Sequence, residues 1–320
     1  MSTAILREAD LTNATWYEGS RYSYPIRGED TAGTLAFLDV LKRKGTEPPP
    51  HIHHREHEMF VVMDGDTAFH AGSESTVGRK GAFAFLPSGV PHRFALESDW
   101  AKLGIALTPS GFEKCLLPFS KPATHMGEPP LPDAPLDIAA LIASCAEHEI
   151  EFLPPGADLR TAPYTQPQGL RPIVRQRNEG ELLNVLGIPV HVKVSKVESG
   201  GAVSAFMTTD LPGYGPPLHI HHNEDETFLV MEGNYKVRVG DTMHDVGPGQ
   251  FTFFPRGVPH AYVNAGDAPG TLLVVCTPGG FEEYFRALDA LARTGAPAEA
   301  DVIRVSKEHG LDIIGPPITV

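Results

Sequence analysis

The feature that most constrains this 320-residue chain is an internal repeat with constant spacing. The segment PPPHIHHREHEMFVVMDG, which ends at Gly65, is matched by PPLHIHHNEDETFLVMEG, which ends at Gly233. Further on, GAFAFLPSGVPH ends at His92 and GQFTFFPRGVPH ends at His260, so that 233 − 65 and 260 − 92 both give an offset of 168. Similarity in a fixed register over this length predicts a tandem duplication and therefore two homologous domains.

The local patterns within each copy are strand patterns. Short apolar or alternating segments, such as EMFVVMDG and ETFLVMEG, are bounded by Gly, Pro or Asp, and many such segments without intervening helices predict antiparallel all-β modules. Helical periodicity occurs only near the end of each copy. The residues of these two apolar stripes are Leu136, Ile138, Leu141, Ile142 and Cys145, and then Phe281, Phe285, Leu288 and Leu291. We predict domains at 1–155, including a Pro-rich extended linker at 118–135, and at 156–320.

Charge and composition exclude several classes of function. The 26 basic and 40 acidic side chains give a net charge of −14, and so acidic a surface repels nucleic acid and anionic membranes. We expect neither as a partner, and without a long apolar run or a signal-like N-terminus we expect a cytoplasmic protein. Cys115, Cys145 and Cys276 are too few and too scattered for a disulfide framework or a thiolate zinc site, which predicts small buried hydrophobic side chains.

The histidines cluster in the repeated motifs. Residues two apart on a strand share a face, so His51 and His53 point together, and Glu58 enters on a neighbouring strand while His92 comes from a later hairpin. The second copy repeats the set at His219, His221, Glu226 and His260. Three imidazoles and one carboxylate suit a divalent first-row metal with an open position. We therefore predict one metal per domain, held by these eight residues, with iron, manganese, nickel, cobalt and copper all compatible.

The remaining histidines lack this spacing. His54, His57 and His222 lie in the same turns, but their alternation or loop position points them away, and we expect them at the surface or behind the ligands. The others are predicted to be structural: His70, His125, His148, His191, His244 and His309.

The motifs resemble those of the cupin superfamily. Gly45-x5-His51-x-His53-x4-Glu58-x6-Gly65 with Gly81-x5-Pro87-x-Gly89-x2-His92 looks like the two cupin motifs, and the second copy repeats both. One departure is Leu96, which stands where the second motif usually ends in Asn, as Asn264 does in the second copy. We expect this change to affect local geometry and not metal binding. The resemblance, over about residues 15 to 317, implies two tandem jelly-roll β-barrels, each followed by a short helical segment.

The strings PPPHIHHREHE and PPLHIHHNEDE, the aromatic-rich barrel strands and the TPGGFEEYF helix most resemble those of bicupins of the quercetin 2,3-dioxygenase type. This resemblance implies a metal-dependent dioxygenase that cleaves a flavonol or a related aromatic or enol substrate with O2. Glu58 or Glu226 would act as general base with a pKa raised by the apolar barrel. Relatives of this type suggest that the N-terminal site is the catalytic one. Edge strands of such barrels are commonly covered by a second copy, which makes a homodimer an expectation.

Two alternatives remain open from the sequence. One is an oxalate decarboxylase-like enzyme, for which Arg21, Arg93 and Arg256 are candidate residues at a cavity mouth. The other is a non-oxidative metal-bearing cupin, either an isomerase or a small-molecule-binding module. A seed-storage-like structural role is disfavoured because all eight ligands are retained.

The cavity walls can be predicted only in part. Aromatic side chains occur on the barrel strands, of which about half are expected to face inward: Phe60, Phe83, Phe85, Phe228, Phe251 and Phe253. The segment from Trp16 to Tyr24 is expected to form an N-terminal strand packed outside the barrel, in preference to a cover over the first cavity mouth.

Overall fold

The computed structural model describes residues 3–162, 169–293 and 295–320. The first half of the chain consists mainly of short strands with two helices near its end. In chain order these elements are β1 (Ile5–Glu8), β2 (Ala14–Tyr17), β3 (Ser20–Ile26), β4 (Ala36–Arg43), β5 (His51–His53), β6 (His57–Asp64), β7 (Thr67–Ala71), β8 (Glu74–Gly78), β9 (Phe83–Leu86), β10 (His92–Leu96), β11 (Trp100–Thr108), α1 (Glu113–Leu116), a 3-10 turn (Leu117–Phe119), β12 (Lys121–Pro122), α2 (Ile138–Glu147), β13 (Ile150–Phe152) and β14 (Ile173–Arg175).

The second half follows the same plan. Its elements are β15 (Glu181–Val185), β16 (Ile188–Val194), β17 (Ser204–Asp210), β18 (Pro217–His221), β19 (Asp225–Glu232), β20 (Tyr235–Val239), β21 (Thr242–Val246), β22 (Gln250–Phe254), β23 (His260–Asn264), β24 (Gly270–Thr277), α3 (Glu282–Ala292), α4 (Glu299–Glu308) and β25 (Leu311–Pro317). The predicted all-β class with a helical segment after each set of strands is confirmed.

The first compact unit, Ala9–Arg177, contains two antiparallel sheets. One has eight strands in the order β12-β2-β3-β4-β11-β6-β9-β14, and the other has five in the order β13-β5-β10-β7-β8. Apolar side chains from both sheets form its core, as Phe60 on β6 shows by packing against Phe69 and Phe94 at ring separations of 5.2 and 5.3 Å. The arrangement is a jelly-roll barrel whose two sheets enclose the main hydrophobic core.

The second compact unit joins β1 to Asn178–Val320. Its sheets run β1-β22-β19-β24-β17-β16-β15 and β21-β20-β23-β18-β25. Phe228 occupies the place of Phe60 in the repeat and packs against Phe254 and Tyr262. The two units therefore repeat the architecture as well as the sequence.

The compact units do not coincide with the predicted ranges 1–155 and 156–320. Strand β14 pairs with β9, with Ile173 opposite Phe85, and so extends the first unit to Arg177. Strand β1 pairs with β22, with Ile5 opposite Phe253, and belongs to the second unit. In each case a distant segment satisfies backbone hydrogen-bonding groups that the strand would otherwise leave open.

Helices α2 and α3 lie where the periodicity predicts them, whereas α1 and α4 lie outside the two predicted stripes. Leu141 and Cys145 of α2 are buried and Leu136 packs partly against the core, but Ile138 and Ile142 are 57% and 45% exposed, so three of the five residues of the predicted stripe pack. Each helical segment is followed by a strand that returns to the sheet of the repeated motif. Strand β13 pairs with β5, and β25 pairs with β18. The Pro-rich segment 118–135 contains little regular structure apart from β12, as the linker prediction implies.

Where Leu96 replaces the usual Asn, a nearby carboxylate supplies the hydrogen bond for the backbone. In the second unit the Asn264 N–H donates to the carbonyl oxygen of Tyr214, and its side chain donates to the carbonyl oxygen of Asp210 at 2.8 Å. In the first unit the Leu96 N–H donates to the Glu47 carboxylate at 2.8 Å. A side-chain acceptor thus replaces a backbone acceptor, and the change is confined to the turn.

Candidate metal centres and their cavities

The first cluster, defined as His51, His53, Glu58 and His92, comes from the paired strands β5 and β10 of one sheet and from β6 of the other. His51 and His53 lie at the two ends of β5, and the intervening Ile52 points away into a separate apolar group. Strand β10 brings His92 directly opposite His51. Alternation along β5 and this single pairing are therefore enough to collect three imidazoles on one side of a sheet.

The side chains of the first cluster converge closely. One potential ligand atom from each residue lies within 4.8 Å of all the others, and the four residues are at most 4% exposed. Glu58 Oε2 is 3.1 Å from His92 Nε2 and 3.9 Å from His53 Nε2. Buried polar atoms in so small a volume require a shared partner or mutual hydrogen bonds.

The outer nitrogen of two imidazoles is held by the backbone. The Nδ1 of His51 is 2.9 Å from the carbonyl oxygen of Pro49, and the Nδ1 of His92 is 2.8 Å from that of Val90. A carbonyl oxygen can only accept, so each Nδ1 carries the proton and donates it. The Nε2 lone pair is left facing the cluster, as metal ligation requires.

The third imidazole is held by a carboxylate that sequence reasoning missed. Glu56 Oε2 lies 2.9 Å from His53 Nδ1, and in the second unit Glu224 Oε1 lies 2.5 Å from His221 Nδ1. Glu56 and Glu224 are again 168 residues apart, and each stands three residues after its histidine. This repetition was the signal that could have identified the pair.

The unpartnered Nε2 atom of His53 indicates that a metal ion fits the first cluster. The Nε2 of His53 is buried and makes no hydrogen bond to any described residue. Leaving such an atom without a partner costs about 1–3 kcal/mol, which a metal ligand bond would remove. Three Nε2 atoms and one carboxylate form a donor set typical of divalent first-row metals. The cluster therefore fits such an ion.

The pKa values of the first cluster follow from burial and mutual charge. Burial, together with His92 and His53, lowers the pKa of His51 to about 3. Burial acts to raise the pKa of Glu58, but His53, His92 and His51 outweigh it and lower the pKa to about 2. The expectation of a raised Glu58 pKa is therefore wrong for this set of four side chains, because the surrounding imidazoles dominate over the apolar barrel.

The second cluster, defined as His219, His221, Glu226 and His260, repeats the first. Its ligand atoms also lie within 4.8 Å of one another, and His219 pairs with His260 across β18 and β23. Glu226 Oε2 is 2.9 Å from His260 Nε2 and 3.5 Å from His221 Nε2. Backbone carbonyl oxygens again accept from Nδ1 of His219 and His260, at 2.7 and 3.0 Å. The two buried clusters are consistent with one metal per domain.

The pKa values of His219, His221 and Glu226 in the second cluster shift in the same directions as those of their counterparts in the first. Burial and the two neighbouring imidazoles lower the pKa of His219 well below its ordinary value. Burial opposes protonation of His221, yet Glu226 and Glu224 outweigh it and raise its pKa. Burial acts to raise the pKa of Glu226, but His221 and His260 outweigh it and lower the pKa. In each cluster the imidazoles therefore hold the pKa of the glutamate low, and the ionised carboxylate lies beside one histidine, His51 or His219, whose own pKa is lowered.

Each cluster opens onto an apolar cavity. The first cavity, of about 250 Å³, is lined by His51 and Glu58 together with Phe94, Phe112 and Phe152. The second, of about 190 Å³, is lined by residues that include His219, His221, Glu226, Phe206, Phe228, Phe281 and Phe285. Planar apolar walls around a few convergent polar groups are typical of small-molecule sites.

The aromatic lining differs from the expected one. Of the six phenylalanines singled out from the sequence, Phe228 lines a cavity, whereas the others are buried in packing positions: Phe60, Phe83, Phe85, Phe251 and Phe253. The aromatic walls come instead from β10, β13, β17 and the helical segments. Their inward direction depends on how those segments pack, which periodicity does not determine.

The expectation for the segment from Trp16 to Tyr24 is wrong. Strands β2 and β3 belong to the eight-stranded sheet, and Tyr17 and Tyr22 line the first cavity. Tyr22 is 5% exposed. The segment is therefore part of the barrel wall and not a strand packed outside it.

The other histidines lie outside both clusters. His54 is 45% exposed and pairs with Glu151, and His222 is 51% exposed and pairs with Asp312, each at 2.9 Å. His57 is half-buried, and its Nδ1 accepts a hydrogen bond from the Ser88 N–H. The six predicted structural histidines likewise contribute no atom to either cluster.

Arginine and cysteine also differ from simple expectation. Arg21 is buried against Asp39 at 3.3 Å, and neither it, Arg93 nor Arg256 is among the described residues that line the two cavities. All three cysteines are buried and free. Cys115 and Cys145 are not scattered in space, however, because their Sγ atoms lie 3.1 Å apart where α1 meets α2.

Comparison with known proteins agrees with this architecture. Residues 39–102 and 206–276 each match the family model of the cupin domain. The chain therefore contains two cupin domains and has the bicupin fold. It is similar to quercetin 2,3-dioxygenase of Bacillus subtilis (strain 168), with 26% identity over 285 residues, which cover 85% of this chain and 83% of that protein.

Solved structures show the same fold at lower identity. An oxalate decarboxylase from Lactobacillus farciminis, solved as a formate complex, is 16% identical with a TM-score of 0.57, covering 88% of both chains. Protein Ylba from E. coli is 9% identical with a TM-score of 0.60, covering 86% of this chain and 91% of that one. These similarities establish the fold alone. Within the described residues, the helices are all too short or too polar to span a membrane.

Proposed function

We propose that the protein is a metal-dependent dioxygenase of the quercetin 2,3-dioxygenase type, which cleaves a flavonol or a related aromatic or enol substrate with O2. The observation that carries this proposal is the position of the first cluster on the wall of an aromatic cavity. The similarity to quercetin 2,3-dioxygenase over most of both chains supports the same reaction class. We also propose that the protein is cytoplasmic and forms a homodimer.

The proposed metal ligands are His51, His53, Glu58 and His92 in the first domain, and His219, His221, Glu226 and His260 in the second. When bound, a divalent iron, manganese, nickel, cobalt or copper ion would supply Lewis acidity toward an enolic hydroxyl and redox chemistry with O2. We assign the reaction to the first site on the analogy with related bicupins. The first cavity is also the larger of the two.

The chain's own residues orient the substrate and receive its proton. Phe112 and Phe152 line the first cavity and offer flat apolar surfaces for an aromatic ring. Glu58 lines the same cavity as an ionised carboxylate, which can accept the proton of the substrate hydroxyl. The apolar walls exclude water from the reacting ring.

Oxalate decarboxylation is the main competing reaction, because oxalate decarboxylases share the fold. A small dianion needs a cationic clamp. Lys42 is the one lysine or arginine among the described residues lining the first cavity, and none lines the second. Apolar walls of this size favour an aromatic substrate over oxalate.

The test combines metal analysis with oxygen uptake. We expect about two metal ions per chain, and oxygen-dependent loss of the quercetin absorption band with matching O2 consumption. Replacing Glu58 by Gln is expected to lower this rate by about 100-fold, the scale of general-base catalysis. The exposed Glu74 provides a matched Glu→Gln control. Metal content is measured for each variant to separate a proton-transfer role from metal loss.

The alternatives predict other results. Release of CO2 from oxalate without O2 consumption on flavonols would identify a decarboxylase. Metal-loaded protein that binds a flavonol without consuming O2 would indicate a non-oxidative cupin. Absence of bound metal after reconstitution would contradict all three functions.

A further inference from the structure

The two cavities carry opposite charges at the same place in the repeat. Lys42 near the end of β4 and Asp210 at the end of β17 are 168 residues apart, the offset of the cluster ligands. Lys42 lies opposite Ala101 on β11, and Asp210 lies opposite Gly270 on β24, the strand that occupies the place of β11 in the second unit. Each side chain lines its own cavity and is at most 1% exposed.

Lys42 presents an ammonium group with unused donors. Its Nζ donates to the Tyr22 hydroxyl at 3.2 Å, and no ion pair connects it to a carboxylate in the described part of the chain. Glu18 and Glu47 also line the first cavity. Both oxygens of Glu47 already accept backbone N–H groups, from Gly45 at 2.7 Å and from Leu96. A buried ammonium in this state favours an anionic oxygen from a ligand.

Asp210 presents the opposite requirement. Its Oδ2 accepts hydrogen bonds from the Thr208 hydroxyl at 2.9 Å and the Tyr235 hydroxyl at 3.0 Å. Its Oδ1 is buried and has no hydrogen-bond partner among the described residues. An unpartnered carboxylate oxygen in an apolar cavity repels anions and favours a ligand that donates an O–H or N–H.

We propose that the two cavities select aromatic ligands of different charge. Lys42 binds an anionic group in the first cavity, and Asp210 binds a neutral hydrogen-bond donor in the second. The proposal rests on the proposed function only in assuming that ligands enter the metal-cluster cavities. It makes Lys42 and Asp210 specificity determinants, and it assigns an acidic aromatic or enolate ligand to the first site.

The ionisation of both groups supports this division. Burial lowers the pKa of Lys42 to about 8, against the opposing effect of Glu47 and Glu18. Burial raises the pKa of Asp210 to about 6, against the hydrogen bonds from Thr208 and Tyr235. At pH 7 most of the Lys42 population is cationic and most of the Asp210 population is anionic.

The experiment is anaerobic calorimetric titration of the metal-loaded full chain with two probes of the same shape. The probes are 6-hydroxy-2-naphthoate, which is anionic, and 6-hydroxy-2-naphthamide, which is neutral. We expect about one naphthoate per chain. Lys42→Met is expected to weaken naphthoate binding by about 10- to 100-fold, the scale of a charged hydrogen bond, and to change naphthamide binding by less than about threefold. Lys42→Arg is expected to retain the preference.

Asp210→Asn tests the second cavity. It removes the repelling charge, so naphthoate stoichiometry is expected to rise from about one to about two per chain while naphthamide still binds. Lys44→Met and Asp267→Asn, both at exposed positions, are the matched controls. Two equivalent naphthoate sites in the wild type, or unchanged affinity in Lys42→Met, would overturn the proposal.

The experiment distinguishes failure of the binding proposal from failure of the dioxygenase proposal. If neither probe binds, the charge assignment is wrong whatever the flavonol assay shows. If the probes bind as expected and flavonols are not oxidised, the dioxygenase proposal is wrong and the assignment of Lys42 and Asp210 stands.

Discussion

Glu56 accepts a hydrogen bond from the side of His53 that faces away from the cluster. Its Oε2 is 2.9 Å from the imidazole Nδ1, and both side chains are 1% exposed. The other Glu56 oxygen accepts the Phe112 N–H at 2.7 Å, so the carboxylate is fixed at both ends. It keeps the proton of His53 on Nδ1 and directs the Nε2 lone pair into the cluster. Phe112 is a wall residue of the same cavity, which means that one carboxylate holds both a candidate metal ligand and a ring of the cavity wall.

Replacing Glu56 by Gln is therefore expected to weaken metal binding at the first site by about 10-fold, because the amide removes the charge that makes His53 a stronger ligand. Competitive titration with a metal chelator measures the change. Glu151→Gln is the matched control, since Glu151 pairs with the exposed His54 at the same distance of 2.9 Å. Equal metal affinity in both variants would show that Glu56 acts only on the loop of Phe112.

Removing one imidazole is expected to empty one site and leave the other. His92→Ala and His260→Ala should each reduce bound metal from about two to about one ion per chain, and the double variant should retain almost none. A metal present at about 100 times its Kd adds about 3 kcal/mol to the stability of the unit that binds it. Only the intact unit should then show a metal-dependent rise in its melting temperature. His54→Ala serves as the control.

A variant that keeps both ions after loss of His92 would contradict this ligand set. The measurement is elemental analysis after dialysis, paired with thermal melts with and without chelator. Loss of both ions from His92→Ala alone would show that the two clusters do not load independently.

The duplication explains how much of the site could be predicted. Residues two apart on a strand share a face, and the offset of 168 repeats every candidate ligand, so the eight cluster residues could be chosen without a structure. The antiparallel all-β class followed from the short strand segments, and the jelly-roll barrel followed from the resemblance to cupins. The segments that complete each barrel could not be predicted, because β14 and β1 are short and their partners are distant in the sequence.

Side-chain environment was harder to predict than element type. Lys42 and Asp210 look like ordinary charged residues at strand ends, and only tertiary packing shows that both are buried on cavity walls. Tyr22 lies outside the repeated motifs and fits either face of its strand. Ile138 and Ile142 fit a helical stripe, yet α2 buries only the part of its surface that its neighbours cover.

Gly270 on β24 is expected not to tolerate a side chain, because the Tyr235 ring packs directly against it. A Cβ at this position would lie 2.3 Å from Tyr235 Oη and 2.8 Å from its Cζ, so the ring must move and its hydrogen bond to Asp210 is lost. Gly270→Ala should lower the free energy of unfolding by about 2–4 kcal/mol. Denaturant melts measure it, with Gly247→Ala as control because its Cβ would meet only ordinary contacts.

Combination with Tyr235→Phe separates the steric part from the hydrogen bond. The Phe variant removes the oxygen that a Cβ on Gly270 would meet first, so the double variant should cost less than the sum of the two single variants. Strict additivity would show that the tyrosine hydroxyl is not the obstacle.

Asp210 is expected to give the protein a measurable loss of stability as pH rises. Burial raises its pKa from 3.8 to about 6 in the folded state. Between these values the unfolded chain has lost the proton that the folded chain still binds, so folding becomes less favourable with increasing pH, and the loss is complete above about pH 6. The full shift corresponds to about 3 kcal/mol.

The measurement is the difference in unfolding free energy between the wild type and Asp210→Asn, which cannot titrate, from pH 4 to pH 7. The wild type should lose stability relative to the variant across this window and then run parallel to it. Thr208→Val removes a hydrogen bond that favours the ionised carboxylate, so it should move the window to higher pH. A difference that stays constant with pH, or that changes in the opposite direction, would show that Asp210 is solvated in the folded protein.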